Sequence, residues 1–317
     1  MVASAAAAAA VIAGSAITAP MASGYWRRPP LSYQLAGDPA GSTFEGIGVD
    51  ERSGLFYVSE VTGGEIHRGV INKPTTQEWL GGEGIDGRWT ARGITVDKLG
   101  RIYIAGGPNS TVHPGAPDLW VYSSNGALLA ALNTGVANVM INDVTVGADG
   151  AAYFTDSNTP RVFRVSNSKY GWTVTLWKDA SAEIEALPGF NLNGIVATPD
   201  GKALLTVQSN AGRLWRFDLR TRRVTGVAVR GAELASGDGL VLKGHELTAV
   251  RNFTRVLTTL KLNRSWTSAT LVKELNTPKD RVLTTAKIAG GRLLAVDSKF
   301  EERPALPPYE VLVLPVP

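Results

Sequence analysis

Residues 44–60 read FEGIGVDERSGLFYVSE, and this stretch decides the fold. Apolar residues alternate with other residues on both sides of a turn that ends at Gly54. A period of two indicates β-strands rather than a helix, and the turn predicts that the two strands pair as an antiparallel hairpin. The second residue of the stretch, Glu45, places a carboxylate at the start of the first strand.

Five further segments repeat this pattern along the chain. Each has a second residue that corresponds to Glu45, and these residues are Arg92, Asn142, Asn193, Asp238 and Thr285. Counted from Glu45, successive members are separated by 47, 50, 51, 45 and 47 positions. A period of this size is typical of the four-stranded blades of a β-propeller.

A third apolar strand follows each hairpin, and the last of these strands lies within residues 309–316. The final unit then lacks an outer strand, which residues 31–37 (LSYQLAG) can supply. We therefore predict an all-β fold, a single six-bladed β-propeller over residues 31–317 with four-stranded blades and a ring closed by the N-terminal strand. A length of 317 residues would also suit two domains, but two β-sandwiches would not explain the near-constant period.

Composition argues against several classes of function. The net charge is only +4, and the one dense basic run, residues 220–223, falls between two predicted strands, so we expect no nucleic-acid partner. The chain contains no cysteine, which excludes disulfides, thiolate metal sites and a cysteine nucleophile.

Residues 1–22 are rich in alanine and end in small residues, which predicts a signal or leader segment and a secreted or periplasmic protein. No Lys or Arg precedes the apolar run, so a cytoplasmic protein stays as the alternative. The run is only weakly hydrophobic, which argues against stable insertion into a membrane.

In a propeller the innermost strand of each blade lines the central channel, so the six second residues should converge at the axis. Two carboxylates, Glu45 and Asp238, and two amides, Asn142 and Asn193, would form an oxygen cage whose charge suits a divalent cation. Hard oxygen ligands favour Ca²⁺, with Mg²⁺, Mn²⁺ and, less readily, Zn²⁺ as alternatives. The same residues could instead hold water or pair with one another, as Glu45 could with Arg92.

These motifs resemble the gluconolactonase, or senescence marker protein (regucalcin), family of six-bladed propellers, with paraoxonases as more distant relatives. The resemblance rests on FEGIGVD, INDVTVGADG, LNGIVATPDGKAL and GDGLVL in this order, and it covers about residues 40–300. It implies that Glu45, Asn193 and Asp238 are metal ligands and that Asn142 is a ligand or contacts substrate. It also implies that Asp238 is the general base of a hydrolase that acts on lactones or related esters.

The chain departs from the paraoxonases, because it shows no histidine pair near the expected cation. His67 falls in a third strand and His245 follows a turn, so we expect both to be structural.

Two long connections rich in Gly and Pro, residues 105–118 and 297–308, are predicted to be lids or specificity loops over the site. His113 lies on the first of them and is a candidate substrate contact. Further candidates beside the pocket, each with a solvated turn as its alternative role, are Asp156, Gln208 and Asp297.

We therefore predict a metal-dependent hydrolase of a small-molecule lactone or related ester. The cation would polarise the carbonyl, and Asp238 or Glu45 would assist the attack of water. Arg92, Asn142 and His113 would bind substrate. The alternatives are a non-hydrolytic biosynthetic enzyme on the same scaffold and a non-catalytic binding propeller whose ion is structural.

Overall fold

The computed structural model describes residues 30–317, so the predicted leader at residues 1–22 lies outside the described residues. The regular secondary structure of these residues is almost entirely β-strand, with one 3₁₀ turn at Ile85–Gly87 and one short helix, α1, at Asn109–Val112. No helix within this range is long and apolar enough to span a bilayer.

The strands are numbered in chain order. They are β1 Ser32–Gln34, β2 Phe44–Asp50, β3 Leu55–Glu60, β4 Ile66–Val70, β5 Thr76–Leu80, β6 Ile94–Val96, β7 Ile102–Ala105, β8 Leu119–Tyr122, β9 Leu128–Leu132, β10 Ile141–Val146, β11 Ala152–Asp156, β12 Arg161–Ser168, β13 Gly171–Asp179, β14 Leu192–Ala197, β15 Ala203–Gln208, β16 Arg213–Asp218, β17 Val224–Arg230, β18 Gly237–Lys243, β19 Glu246–Arg251, β20 Val256–Leu262, β21 Ser268–Asn276, β22 Leu283–Ala289, β23 Arg292–Asp297 and β24 Glu310–Leu314.

These strands form antiparallel units of four. β2–β5, β6–β9 and β10–β13 are separate four-stranded sheets in chain order, and β22–β24 form another sheet together with β1. β1 pairs with β24 through Ser32 opposite Leu312, so the N-terminal segment is the edge strand of this sheet.

The other eight strands form one sheet, which differs from the prediction of separate four-stranded sheets. In this sheet β14–β17 and β18–β21 are two units of four, joined where Ala228–Arg230 of β17 pair in parallel with Ser268–Thr270 of β21. Outer strands expose unpaired backbone groups, and two such edges satisfy each other when they meet.

The first strands of successive units lie next to one another. β2 contacts β6, β6 contacts β10, and the series continues through β14, β18 and β22 back to β2. The apolar core fills the space between the faces of neighbouring sheets; one cluster contains Tyr33, Phe44, Phe56 and Val311, drawn from the first and last units. Sheets packed face to face in this way define a β-propeller.

Tyr33 tests the contribution of β1. Its side chain is fully buried, packs edge-on against Phe56 with ring centroids 4.6 Å apart, and donates its hydroxyl hydrogen to the carbonyl oxygen of Ile71. We expect Tyr33→Ala to lower the free energy of unfolding by about 3–5 kcal/mol, the usual effect of removing a buried aromatic ring. Urea denaturation would measure it, with Leu31→Ala as the control, since Leu31 is 89% exposed. Equal effects of the two substitutions would contradict a structural role for β1.

Candidate functional site

A repeated β-bulge positions the predicted site residues. In β2, β10, β14 and β18 the pairing with the second strand shifts register around one position, and the residues there are Glu45, Asn142, Asn193 and Asp238. A bulge bends its strand and redirects the side chain that it carries. All four residues line one cavity.

In the last unit this position belongs to Thr284, one residue before the predicted Thr285, while Thr285 lines a small cavity beside Glu45, Asn142, Asn193 and Asp238. The register shift in β22 begins after Leu283, so Thr284 corresponds to Glu45. Thr284 is fully buried, and its hydroxyl donates a hydrogen bond of 2.9 Å to the carbonyl oxygen of Glu45. Two adjacent threonines offer the same side chain in either register, so the pattern alone could not choose between them.

The cavity has a volume of about 650 Å³. We call the five polar lining residues at or just before the start of a first strand the floor; they are Glu45, Arg92, Asn142, Asn193 and Asp238. We call three aromatic residues from three different connections the wall; they are Phe190, Phe253 and Phe300. Residues 302–305 of the second predicted lid also line the cavity, as do Ala40, Gly41, Thr43, Val61, Thr62 and Asn252.

Most floor side chains are held by a neighbour through one end only. Asn252 Nδ2 donates to Asp238 Oδ2 over 2.8 Å, and Asn142 Nδ2 donates to the Ser157 hydroxyl over 2.8 Å. The guanidinium of Arg92 forms an ion pair with Glu45 Oε2, the pairing that the sequence had left open. The side chains are thereby oriented, while Glu45 Oε1, Asn142 Oδ1 and Asp238 Oδ1 make no hydrogen bond within residues 30–317.

Two floor atoms are buried without a hydrogen-bond partner within residues 30–317, and they are the Asn193 Oδ1 oxygen and the Arg92 Nε nitrogen. A buried carbonyl oxygen without a donor is costly, so its place in the floor indicates a ligand. Within the same range no three Asp, Glu, His or Cys side chains form a metal-binding group. The floor instead combines two carboxylates with two amides, a donor set that suits a hard cation.

Burial controls the protonation of the floor. It raises the pKa of Asp238 well above the ordinary value, and the nearby Glu45 carboxylate raises it further. Burial also raises the pKa of Glu45, against the opposing effect of Arg92. A third acid, Asp143, is buried beside them, and burial raises its pKa as well. Arg92 opposes this effect on the pKa of Glu45 and Asp238, and Lys287 opposes it on the pKa of Asp143, but burial outweighs both, so a bound cation would favour the ionised forms.

Of the two predicted lids, only residues 297–308 line the cavity. Residues 105–118 pack to one side, where the Asn109 side chain accepts a hydrogen bond of 3.0 Å from the Trp89 backbone and His113 stacks on the Trp89 ring at 4.5 Å. His113 is therefore not part of the cavity lining, and its predicted contact with substrate has no support in this geometry.

The other candidates beside the pocket also lie outside the lining. Asp156 accepts hydrogen bonds of 3.0 Å from the backbone of Met140 and Asn158, and burial raises its pKa to about 6. Gln208 accepts a hydrogen bond from the Trp215 indole. Asp297 lies 3.7 Å from the buried Lys299 ammonium, at the base of the second lid.

Sequence reasoning missed the wall and Asn252. Phe253 follows Asn252 in a short turn between β19 and β20, and Phe190 lies in a connection that was not considered. Each phenylalanine occurs once, without a repeat to mark it. The sequence signal that could have indicated the wall is an aromatic residue in a turn, because a turn leaves its apolar ring exposed.

The fold and the site together define a β-propeller with a polar cavity where its first strands meet. Residues 43–254 match the family model described as the SMP-30/gluconolactonase/LRE-like region. The match covers more than half of the chain, and the chain belongs to this family. A search of curated protein sequences gave no significant match.

Solved structures share the fold at low sequence identity. The major allergen Mala s 1 of Malassezia sympodialis is 16% identical, with a TM-score of 0.63 over 90% of this chain and 96% of the allergen. Regucalcin from Agrobacterium tumefaciens, described as a calcium-binding protein, is 15% identical, with a TM-score of 0.60 over 87% of this chain and 95% of regucalcin. Virginiamycin B lyase from Staphylococcus aureus is 14% identical, with a TM-score of 0.57 over 90% of this chain and 87% of the lyase.

Gly194 tests how tightly the site is packed. A Cβ at this position would collide with the backbone oxygen of Asp238 on the neighbouring strand. We expect Gly194→Ala to lower the free energy of unfolding by about 1–3 kcal/mol, the usual cost of overpacking. Gly226→Ala is the matched control in another strand, because its nearest neighbour, the Trp215 ring, would lie 3.8 Å from the added atom. Equal urea midpoints for the two variants would contradict the close approach.

Proposed function

We propose that the six units of four strands are the blades of one six-bladed propeller that β1 closes. The cyclic contacts of the first strands support this proposal, and so does the pairing of β1 with β24. The parallel pairing of β17 with β21 then joins two neighbouring blades at their outer edges.

On this scaffold we propose metal-dependent hydrolysis of a lactone or related ester. The observation that carries the proposal is the unpartnered, buried Oδ1 atom of Asn193 among the free oxygens of Glu45, Asn142 and Asp238. These four oxygens would hold a divalent cation, foremost Ca²⁺, with Mg²⁺, Mn²⁺ or Zn²⁺ as alternatives. A cation bound there would supply Lewis acidity to a substrate carbonyl and lower the pKa of a water ligand.

The side chains of the protein supply the remaining chemistry. Asp238 is the proposed general base: its Oδ1 would ligate the cation, and Oδ2, which accepts the hydrogen bond from Asn252 Nδ2, would take the proton from water. Glu45 would be the alternative base. Arg92 is fixed by its ion pair with Glu45 and brings a positive charge to the cavity, where negative charge develops on the acyl oxygen during attack. Asn142 would contact the substrate or complete the cation site.

Metal removal and restoration test this proposal. Protein treated with chelator would be assayed on a panel of lactones with each of the four cations restored, beside Asp238→Asn. We expect turnover only with cation, and a fall of about 10²-fold or more in kcat for the variant, because the general base is lost. The control is Asp156→Asn, which changes a buried carboxylate outside the cavity and should keep the cation dependence.

Melting temperature separates the cation site from the reaction. If Ca²⁺ raises the melting temperature of the natural protein but not of Asp238→Asn, and no lactone is turned over, the cation site is supported and hydrolysis is refuted. Cation-dependent conversion to a product without added water would favour a non-hydrolytic enzyme. No response of either activity or melting temperature to any cation would contradict both the site and the mechanism.

A further inference from the structure

The cavity is divided into a polar floor and an aromatic wall. The wall comes from three connections: Phe190 precedes β14, Phe253 lies between β19 and β20, and Phe300 lies between β23 and β24. Phe190 and Phe253 are each 44% exposed. Apolar rings left open to solvent around one cavity are a typical sign of a surface that a ligand covers.

Backbone hydrogen bonds hold the wall residues in place. The Phe253 N–H donates to Asn252 Oδ1 over 2.7 Å, while the other end of the same amide holds Asp238. The carbonyl oxygen of Phe190 accepts a hydrogen bond of 3.0 Å from the backbone of Asn210. The rings are thus presented by an ordered backbone, and one residue, Asn252, links the wall to the proposed catalytic base.

Polar side chains near the wall are already paired. The hydroxyls of Thr43 and Thr62 hydrogen-bond to each other over 2.9 Å. Glu302 accepts a hydrogen bond of 2.9 Å from Lys299, and Arg303 donates to the Glu302 carbonyl oxygen over 2.6 Å. These contacts use part of the hydrogen-bonding capacity beside the rings, and the rings themselves offer none. Hydroxyl groups of a substrate placed against the wall would therefore lose hydrogen bonds to water without replacing them, which is unfavourable.

We infer that the site takes a lactone or ester that carries an aryl or branched alkyl group next to the reacting ester group, rather than a polyhydroxylated sugar lactone. The carbonyl end meets the floor, where the free oxygens and Arg92 lie. The apolar group lies against Phe190, Phe253 and Phe300. The inference rests on the proposed function for its reaction, and on the wall for its choice of substrate.

Three six-membered lactones distinguish the effect of an apolar group on the rate from the effect of hydroxyl groups. δ-Valerolactone is the bare ring, δ-phenyl-δ-valerolactone adds one apolar group, and glucono-1,5-lactone adds hydroxyl groups. With cation-loaded protein, and rates corrected for spontaneous hydrolysis, we expect kcat/KM of the phenyl lactone to exceed that of the bare ring by about tenfold or more. Glucono-1,5-lactone should fall below the bare ring. A preference for glucono-1,5-lactone would overturn the inference while leaving hydrolysis intact.

Wall variants test the residues themselves. Phe253→Ala and Phe190→Ala should each reduce the ratio of kcat/KM between the phenyl lactone and the bare lactone by about tenfold. Phe253→Leu should restore part of that ratio, because it keeps an apolar side chain. The control is Tyr170→Ala, which removes an aromatic ring that is 84% exposed and lies outside the cavity. An unchanged ratio in both alanine variants would overturn the role of the wall.

Binding of lactams, which are not hydrolysed, distinguishes failure of this inference from failure of the proposed function. Calorimetry would compare 6-phenylpiperidin-2-one with piperidin-2-one on the same proteins. Tighter binding of the phenyl lactam that Phe253→Ala abolishes, together with no turnover of any lactone, would refute hydrolysis and support the inference. Equal binding of the two lactams would overturn the inference whether or not lactones are hydrolysed.

Discussion

The close approach of the first strands at the centre of the molecule is the constraint on which the site depends. A Cβ at Gly46, Gly194 or Gly239 would collide with the neighbouring first strand, so the residue after each of Glu45, Asn193 and Asp238 has to be small. Glycine lowers stability within a strand because it loses more conformational freedom on folding than any other residue. That cost is offset here because the strands can then bring their polar side chains to one place.

The third unit meets the same constraint in another way. Asp143 occupies the position that glycine holds in its neighbours, and its carboxylate accepts a hydrogen bond of 3.0 Å from the backbone of Ile195 on the next first strand. In this unit the buried Asp143 carboxylate thus takes the place of the close backbone approach that glycine allows elsewhere, and it lies near the carboxylates of Glu45 and Asp238. This arrangement increases the negative charge around the axis when the acids ionise, which is the electrostatic basis for expecting a cation at the floor.

Much of the fold could be predicted because its units repeat. The alternation of apolar residues and the recurring glycine turns predicted the hairpins, and a missing outer strand predicted the pairing of residues 31–37 with β24. The same repeat brought Glu45, Asn142, Asn193 and Asp238 to one cavity. It failed to distinguish Thr284 from Thr285, since the bulge that sets the register has no sequence signature beyond the residues around it. It also failed for residues 105–118, because the length and composition of a loop do not determine the direction in which it folds.

The sequence by itself determined the order of the strands, the membership of the chain in a β-propeller family and the residue types of the floor. These follow from periodic patterns, which reflect local pleating and burial and can therefore be read from the linear sequence. Tertiary structure alone decided that Asn252 holds Asp238, that Arg92 pairs with Glu45 and that three phenylalanines from separate connections surround one cavity. Those contacts join residues that are distant in the chain and carry no shared period, so only the packing of the sheets brings them together.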